Sequence, residues 1–369
     1  MPIIAVLAFA VGTLSPAQEA EDFNVALMVN TESAERTIEL YEGLSGRPQA
    51  IAELPGSRIA LATTALLSGR QLDVPDLARS LEEAKYNQSL GDDVFRMKHA
   101  RANVAAIKEL LDEMNKRNFA QKVVATVKQL FPADTRIVGS FPVYVVAFGP
   151  QNIDAFVRRT LWNGQTPVFV GEGKGILTIV VNLAKAVSYG RNVDERFYGL
   201  TSVVAHEVFH ASFGLYRDQS AQWRQFSLTH RTWFDQMLDL TQNEGIAYYL
   251  SLIQRTRGRL EESQVGDFKT IFGEFNRKCG ELLSSGITPQ RAQDIIQQSN
   301  SSGYWGSFGS LTGMIIARQI DQSLGRQALS ETIALGPYDF FGKYAELMKT
   351  RDDIPRLSDL VLRYVVNGR

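Results

Sequence analysis

His206, Glu207 and His210 stand in VVAHEVFHASFG, residues 203–214, as the pattern H-E-V-F-H. On a helix of about 3.6 residues per turn, positions four apart share a face, so both imidazoles can reach one ion. Glu207 is offset from that line, where it can hold a water beside the ion rather than ligate it. Zinc takes neutral nitrogen or anionic ligands in a tetrahedron, and a catalytic site keeps one position open to water. Two histidines and a base therefore imply metal-assisted hydrolysis on one zinc ion, with a third ligand still to be found. The competing reading is a pair of exposed helix histidines. Val203, Val204, Val208, Phe209 and Phe213 argue against it by making this helix a buried one. Buried imidazoles and a carboxylate are costly without a metal or partners.

The third ligand is sought in LDLTQNEGIAYYLSLIQR (238–255), where Glu244 follows His210 after 33 intervening residues. His230, in SLTHRTWFDQ, is the rival, as a ligand, a donor to the reacting oxygen, or an ordinary helix-surface histidine. Glu244 itself has a second explanation. Thr241 and Glu244 have capping-box spacing, in which the carboxylate would bond the Thr241 amide instead of a metal. Among the remaining candidates, His99 sits between Arg96, Lys98 and Arg101 and reads as a surface histidine. The chain has one cysteine, Cys279. That excludes an intramolecular disulfide and any multi-cysteine metal cluster, and leaves a small buried core residue as its expected role.

HEVFH and NEGIA together resemble the gluzincin superfamily of zinc metallopeptidases, whose ligands are the two histidines of H-E-x-x-H and a glutamate on a later helix. The resemblance implies a zincin-like catalytic domain. It also implies His206, His210 and Glu244 as ligands, and Glu207 as general base in peptide hydrolysis. Thermolysin-like members carry an acidic residue one turn after the glutamate to orient a histidine. Here that position is Tyr248, so the orienting group must be another, with Asp218, Asp235 and Asp239 as candidates. The chain is also similar, in LPGSRIAL, TIVVNLA and GYWGSFGSLTGMIIARQI, to a group of bacterial proteins described only as zinc-dependent peptidases. Such enzymes usually hold substrate as a strand added to a sheet edge. GILTIVVNLAKAV is the candidate edge, with Asn182 placed to bond a substrate backbone, and a buried core strand is the competing reading. Tyr304 is a candidate donor to a developing oxyanion, or a plain core aromatic. Two other functions fit the motif: a zinc hydrolase of a non-peptide bond, and a catalytically silent zinc-containing binding protein. An intact Glu207 argues against the second.

The elements that must position these residues fall into blocks. Residues 18–133 read as a helical N-terminal region, and 134–369 as the catalytic domain with a helical C-terminal part. β-branched and aromatic runs at 135–149 and 166–184 predict strands, the second a hairpin turning at GEGKG. From about Glu195 the periodicity is helical. The expected class is α+β, mostly helical, with a small mixed sheet next to the H-E-x-x-H helix. That helix is expected to begin at Thr201 or Ser202 and end near Gly214, and Asn243 to open the next. Gly306, Gly309 and Gly313 strip one helix face and predict close approach of a neighbouring backbone.

Composition narrows the function classes. The net charge is −1, from 39 Lys+Arg against 40 Asp+Glu, so no basic excess points to nucleic acid. The expected partner is a peptide or protein substrate. After the N-terminus no run of 18 apolar residues could span a membrane. Residues 1–17 read as a signal peptide: Ile3 to Leu14 is apolar, and Ser15-Pro16-Ala17 precedes a cut ahead of Gln18, although no Lys or Arg comes before the run. Export to the periplasm or beyond follows, or a cytoplasmic protein if the run is a buried helix.

Overall fold

The computed structural model describes residues 23–44, 46–86, 92–150, 155–171, 174–256, 268–301 and 307–367. The expected signal peptide lies outside them. The described chain opens with β1 (Phe23–Asn30), then α1 (Glu32–Tyr41), α2 (Pro48–Ala52), α3 (Pro55–Ser68), α4 (Val74–Lys85), α5 (Met97–Ala102), α6 (Val104–Lys116) and α7 (Phe119–Lys128). Four strands follow: β2 (Ile137–Val146), β3 (Ala155–Asn163), β4 (Thr166–Phe169) and β5 (Ile176–Asn182). The rest is helical. The short α8 (Leu183–Ala186) and a 3-10 turn lead into α9 (Val193–Gln219), α10 (Ala221–Thr229) and α11 (Trp233–Thr256). Then come α12 (Phe268–Leu282), α13 (Pro289–Ser301), α14 (Phe308–Leu324), α15 (Arg326–Leu335), α16 (Pro337–Thr350) and α17 (Asp359–Asn367). The class is α+β, mostly helical, with a small mixed sheet, as the sequence predicts.

The sheet runs β1-β2-β5-β3-β4. β1, β2 and β5 are parallel, and β3 lies antiparallel to both β5 and β4. Three sequence expectations are corrected here. A strand, β1, precedes residue 134, pairing from Phe23↔Ile137 to Asn30↔Tyr144. The hairpin is β3–β4, not a turn at GEGKG: Asn163 pairs with Thr166 across Gly164 and Gln165, and Gly164 sits at φ +60°. The two loop residues are Gly164 and Gln165, and a glycine at the first of them supplies the positive φ that a two-residue hairpin turn requires. β4 and β5 both pair with β3 instead of each other, so β5 lies inside the sheet and cannot offer a free edge.

Helices cover both faces because side chains alternate along a strand. On β2, a Cβ at Gly139 would meet Leu215 of α9, whereas Tyr144, on the opposite face, meets Gly56 of α3. α9 begins at an Asn192 cap whose side chain accepts from the Glu195 amide, nine residues before the expected start. Thr201 and Ser202 are interior to it. The Thr201 hydroxyl donates back to the Phe197 carbonyl at 2.8 Å, so it needs no cap position. Gly214 does not end the helix either, since tertiary packing outweighs a glycine cost of about 1 kcal/mol.

Candidate metal centre

α9 and α11 run antiparallel and are tied at three levels, about two turns apart along α9. At one end Ser202 and Ser251 exchange hydroxyl-to-carbonyl bonds of 3.3 and 3.4 Å. In the middle His210 Nδ1 meets Asn243 Oδ1 at 3.0 Å. At the other end Arg217 pairs with Asp239. The middle level is the site. His206 and His210 project from α9 with their Nε2 atoms 3.0 Å apart. Glu244 projects from α11, its Oε2 3.7 Å from His206 Nε2 and 3.5 Å from His210 Nε2. These are the three residues whose donor atoms gather in one place among the described residues.

The donor set fits zinc. Ligands about 2.0–2.1 Å from a tetrahedral zinc stand about 3.3 Å from one another. The three separations fall on both sides of that value. The amide oxygen of Asn243 can only accept, so His210 Nδ1 donates to it and its Nε2 is turned toward the other donors. Side-chain exposures of 16%, 17% and 24% for His206, His210 and Glu244 leave one flank open to solvent. Charge in the site follows the same pattern. Burial disfavours the imidazolium of His210, but the Glu244 carboxylate, with help from Glu207 and Asn243, outweighs it and pushes the pKa up to about 9. Burial likewise works against the Glu244 carboxylate, and the two histidines overcome it, holding it well below the usual range. The cluster stabilises positive charge between its members, which is the field a divalent cation needs.

Glu244 is not a helix cap. α11 starts at Trp233, eleven residues before it, and the capping box is Thr232 with Asp235: the Thr232 amide donates to Asp235 Oδ2 at 2.8 Å, and the Asp235 amide to Thr232 Oγ1 at 3.1 Å. Nor is any of the three aspartates the partner of His210. Asp235 caps α11 and accepts from Tyr338, and Asp239 pairs with Arg217. The side chain bonded to His210 is that of Asn243, which the sequence reading did not consider for this position although it directly precedes Glu244. Tyr248, one turn on, sets its ring against His206 at 5.2 Å between centroids. Gly245 has a reason of its own. A Cβ there would lie 2.3 Å from the backbone of Gly313 on α14, and one at Gly313 would lie 1.9 Å from the Thr241 carbonyl oxygen. Two bare backbones touch behind Glu244, as expected of Gly313; Gly306 lies outside the described residues.

The remaining candidates are spread out. His230 follows α10, stacked on Phe226 at 4.4 Å, beside Tyr338 at 4.9 Å, and close to Thr229 Oγ1 at 2.8 Å; it is not part of the donor cluster. Asn182 caps α8, its Oδ1 accepting from the Ala184 amide at 3.0 Å. Tyr304 lies outside the described residues. His99 is half-buried rather than a surface residue, its Nε2 3.0 Å from the Ala184 carbonyl. Cys279 is fully buried, and burial pushes its thiol pKa far up, so it is a core residue. No described helix is long and apolar enough to cross a membrane.

The model of one sequence family, described as "Putative zinc dependent peptidase (DUF5700)", matches residues 53–353. No curated protein and no solved structure matches the chain.

Proposed function

The chain belongs to the family described as "Putative zinc dependent peptidase", and on that premise we propose that it is a gluzincin-type hydrolase of peptide bonds with Glu207 as its general base. The observation that carries the reading is the convergence of His206, His210 and Glu244 from two antiparallel helices, with Asn243 bonded behind His210. His206, His210 and Glu244 would hold one zinc ion. When bound, that ion supplies Lewis acidity, polarising a carbonyl and acidifying water. Glu207 follows His206 on the same helix, where its carboxylate takes the proton of the attacking water and hands it to the leaving amine. Asn243 holds His210 in one tautomer, and Tyr248 limits rotation of the His206 ring. The edge strand on the β3 side of the sheet is β4, which replaces β5 as the strand that could extend onto a substrate. Export, which the N-terminal run suggests, fits a peptidase that acts outside the cytoplasm.

The test is a peptide-library digest with the purified full chain, with and without chelator. Chelator-sensitive cleavage that falls at least a hundredfold in Glu207→Gln, with about one zinc per chain retained, is the expected result. His206→Ala should lose both zinc and cleavage. Zinc without chelator-sensitive cleavage of any peptide would overturn the peptidase reading. Wild-type turnover in Glu207→Gln would overturn the base assignment.

A further inference from the structure

A pocket of about 170 Å³ lies where the parallel strands β2 and β5 end, lined among others by Arg96, His99, Gly149, Asn182 and Lys185. In open sheets with parallel strands, ligands bind in the crevice outside the carboxyl ends of those strands. Gly149 keeps this crevice open. It sits at φ +148°, and a Cβ there would stand 2.9 Å from Asn182 Nδ2.

The charge of the lining is one-sided. Arg96 and Lys185 are both half-buried, and among the described residues no Asp or Glu lines the pocket. Among the described residues no carboxylate pairs with either side chain. The acid in the same turn as Arg96 is Asp93, and its oxygens accept from the Met97 and Lys98 amides at 2.6 and 2.9 Å, capping α5. His99 forms part of the wall. The Ala184 carbonyl can only accept, so His99 Nε2 donates to it and ties α5 to the turn after β5. Arg96 also stands at φ +57°, a left-handed conformation that a glycine would hold with less strain. The backbone therefore bears a cost with this guanidinium in place.

Two like charges, partly withdrawn from water and facing one small pocket, are stabilised by an anion between them. A guanidinium recognises planar or tetrahedral oxyanions through paired N–H donors, and a lysine adds a point charge. We infer that this pocket binds a small free oxyanion of the phosphate or carboxylate class, at a site separate from the metal centre. The inference does not depend on the peptidase reading.

The experiment is thermal unfolding and isothermal titration calorimetry of the zinc-loaded full chain with inorganic phosphate, acetate and chloride at equal ionic strength. We expect a saturable rise in Tm with phosphate or acetate and none with chloride. The stronger of the two identifies the ligand's source. Arg96→Gly combined with Lys185→Gln should weaken the response at least tenfold, and Lys98→Gln, an exposed lysine two residues from Arg96, should leave it unchanged. If the double variant does not fold, Lys185→Gln alone should still weaken binding severalfold. An oxyanion response no larger than that to chloride would overturn the inference. So would one that persists undiminished in the charge-removing variants, because the anion would then sit elsewhere, the metal centre included.

Discussion

Asn243 shows how much of the candidate site depends on a residue outside the donor cluster. Its amide oxygen accepts from His210 Nδ1 at 3.0 Å and so directs the other ring nitrogen toward His206 and Glu244. Groups that orient a metal-bound histidine are typically worth about 10–100-fold in metal affinity. Asn243→Ala should weaken zinc by that factor in competition with a chromophoric chelator, and Asn243→Asp, which keeps the acceptor, should restore most of the loss. Cys279 makes the opposite case, a chemically capable group placed beyond use. It is fully buried, and burial raises its thiol pKa by disfavouring the thiolate. At pH 8 a disulfide reagent should find essentially no reactive thiol in the native protein and one per chain in denaturant.

At the scale of elements, the site is a property of the contact between α9 and α11, and α14 sets where α11 lies. Gly245 and Gly313 let α11 and α14 meet backbone to backbone directly behind Glu244. Gly313→Ala would place a methyl 1.9 Å from the Thr241 carbonyl oxygen, a backbone atom that cannot swing aside. Overpacking of this kind costs about 1–3 kcal/mol or more, and here it should also displace α11 and weaken zinc. Gly214 is the control, in the same helix as the histidines with nothing within 4 Å of an added Cβ. Gly214→Ala should raise stability by about 0.5–1 kcal/mol, from helix propensity alone, with zinc affinity unchanged. Urea unfolding and chelator competition on both variants separate the two effects. If Gly313→Ala were neutral in both assays, the close packing would not position the ligand.

At the scale of the molecule, the site joins two structural layers. α9 lies against the sheet through Leu215 and Gly139, and Phe131 links it to β1, with ring centroids 5.7 Å from Phe209 and 5.2 Å from Phe23. α11 belongs to the helical layer, bonded to α15 through Gln242, whose amide donates to the Thr332 carbonyl at 2.7 Å. A cation shared by His206, His210 and Glu244 would therefore cross-link the layers. Ligand that binds only the folded state stabilises it by about 2.7 kcal/mol at a hundredfold excess over its Kd. Removing zinc with chelator should lower Tm by several degrees in the wild type and leave His206→Ala unaffected. An equal chelator effect in both would place the stabilising metal elsewhere.

The sequence by itself determined the candidate donor residues and the broad class. H-E-x-x-H is a local pattern, set by helix period alone, and Glu244 was recognisable because it heads a second helical stretch of matching character. The mostly helical α+β class followed from periodicity for the same reason, since period is a property of neighbouring residues. Tertiary structure alone decided what depends on residues far apart in the chain. Glu244 as a helix cap could not be excluded until α11 was seen to begin at Thr232–Asp235. Asn243 over three aspartates was decided by the antiparallel register of α9 and α11, which no spacing within either helix contains. β1 pairs with a strand more than a hundred positions away, and β5 lies inside the sheet because β3, unseen in the sequence, takes its other side. Local period is written in the order of side chains. Partner choice is settled by which buried surfaces and hydrogen-bonding groups can be satisfied together, and that is decided only when the whole chain packs.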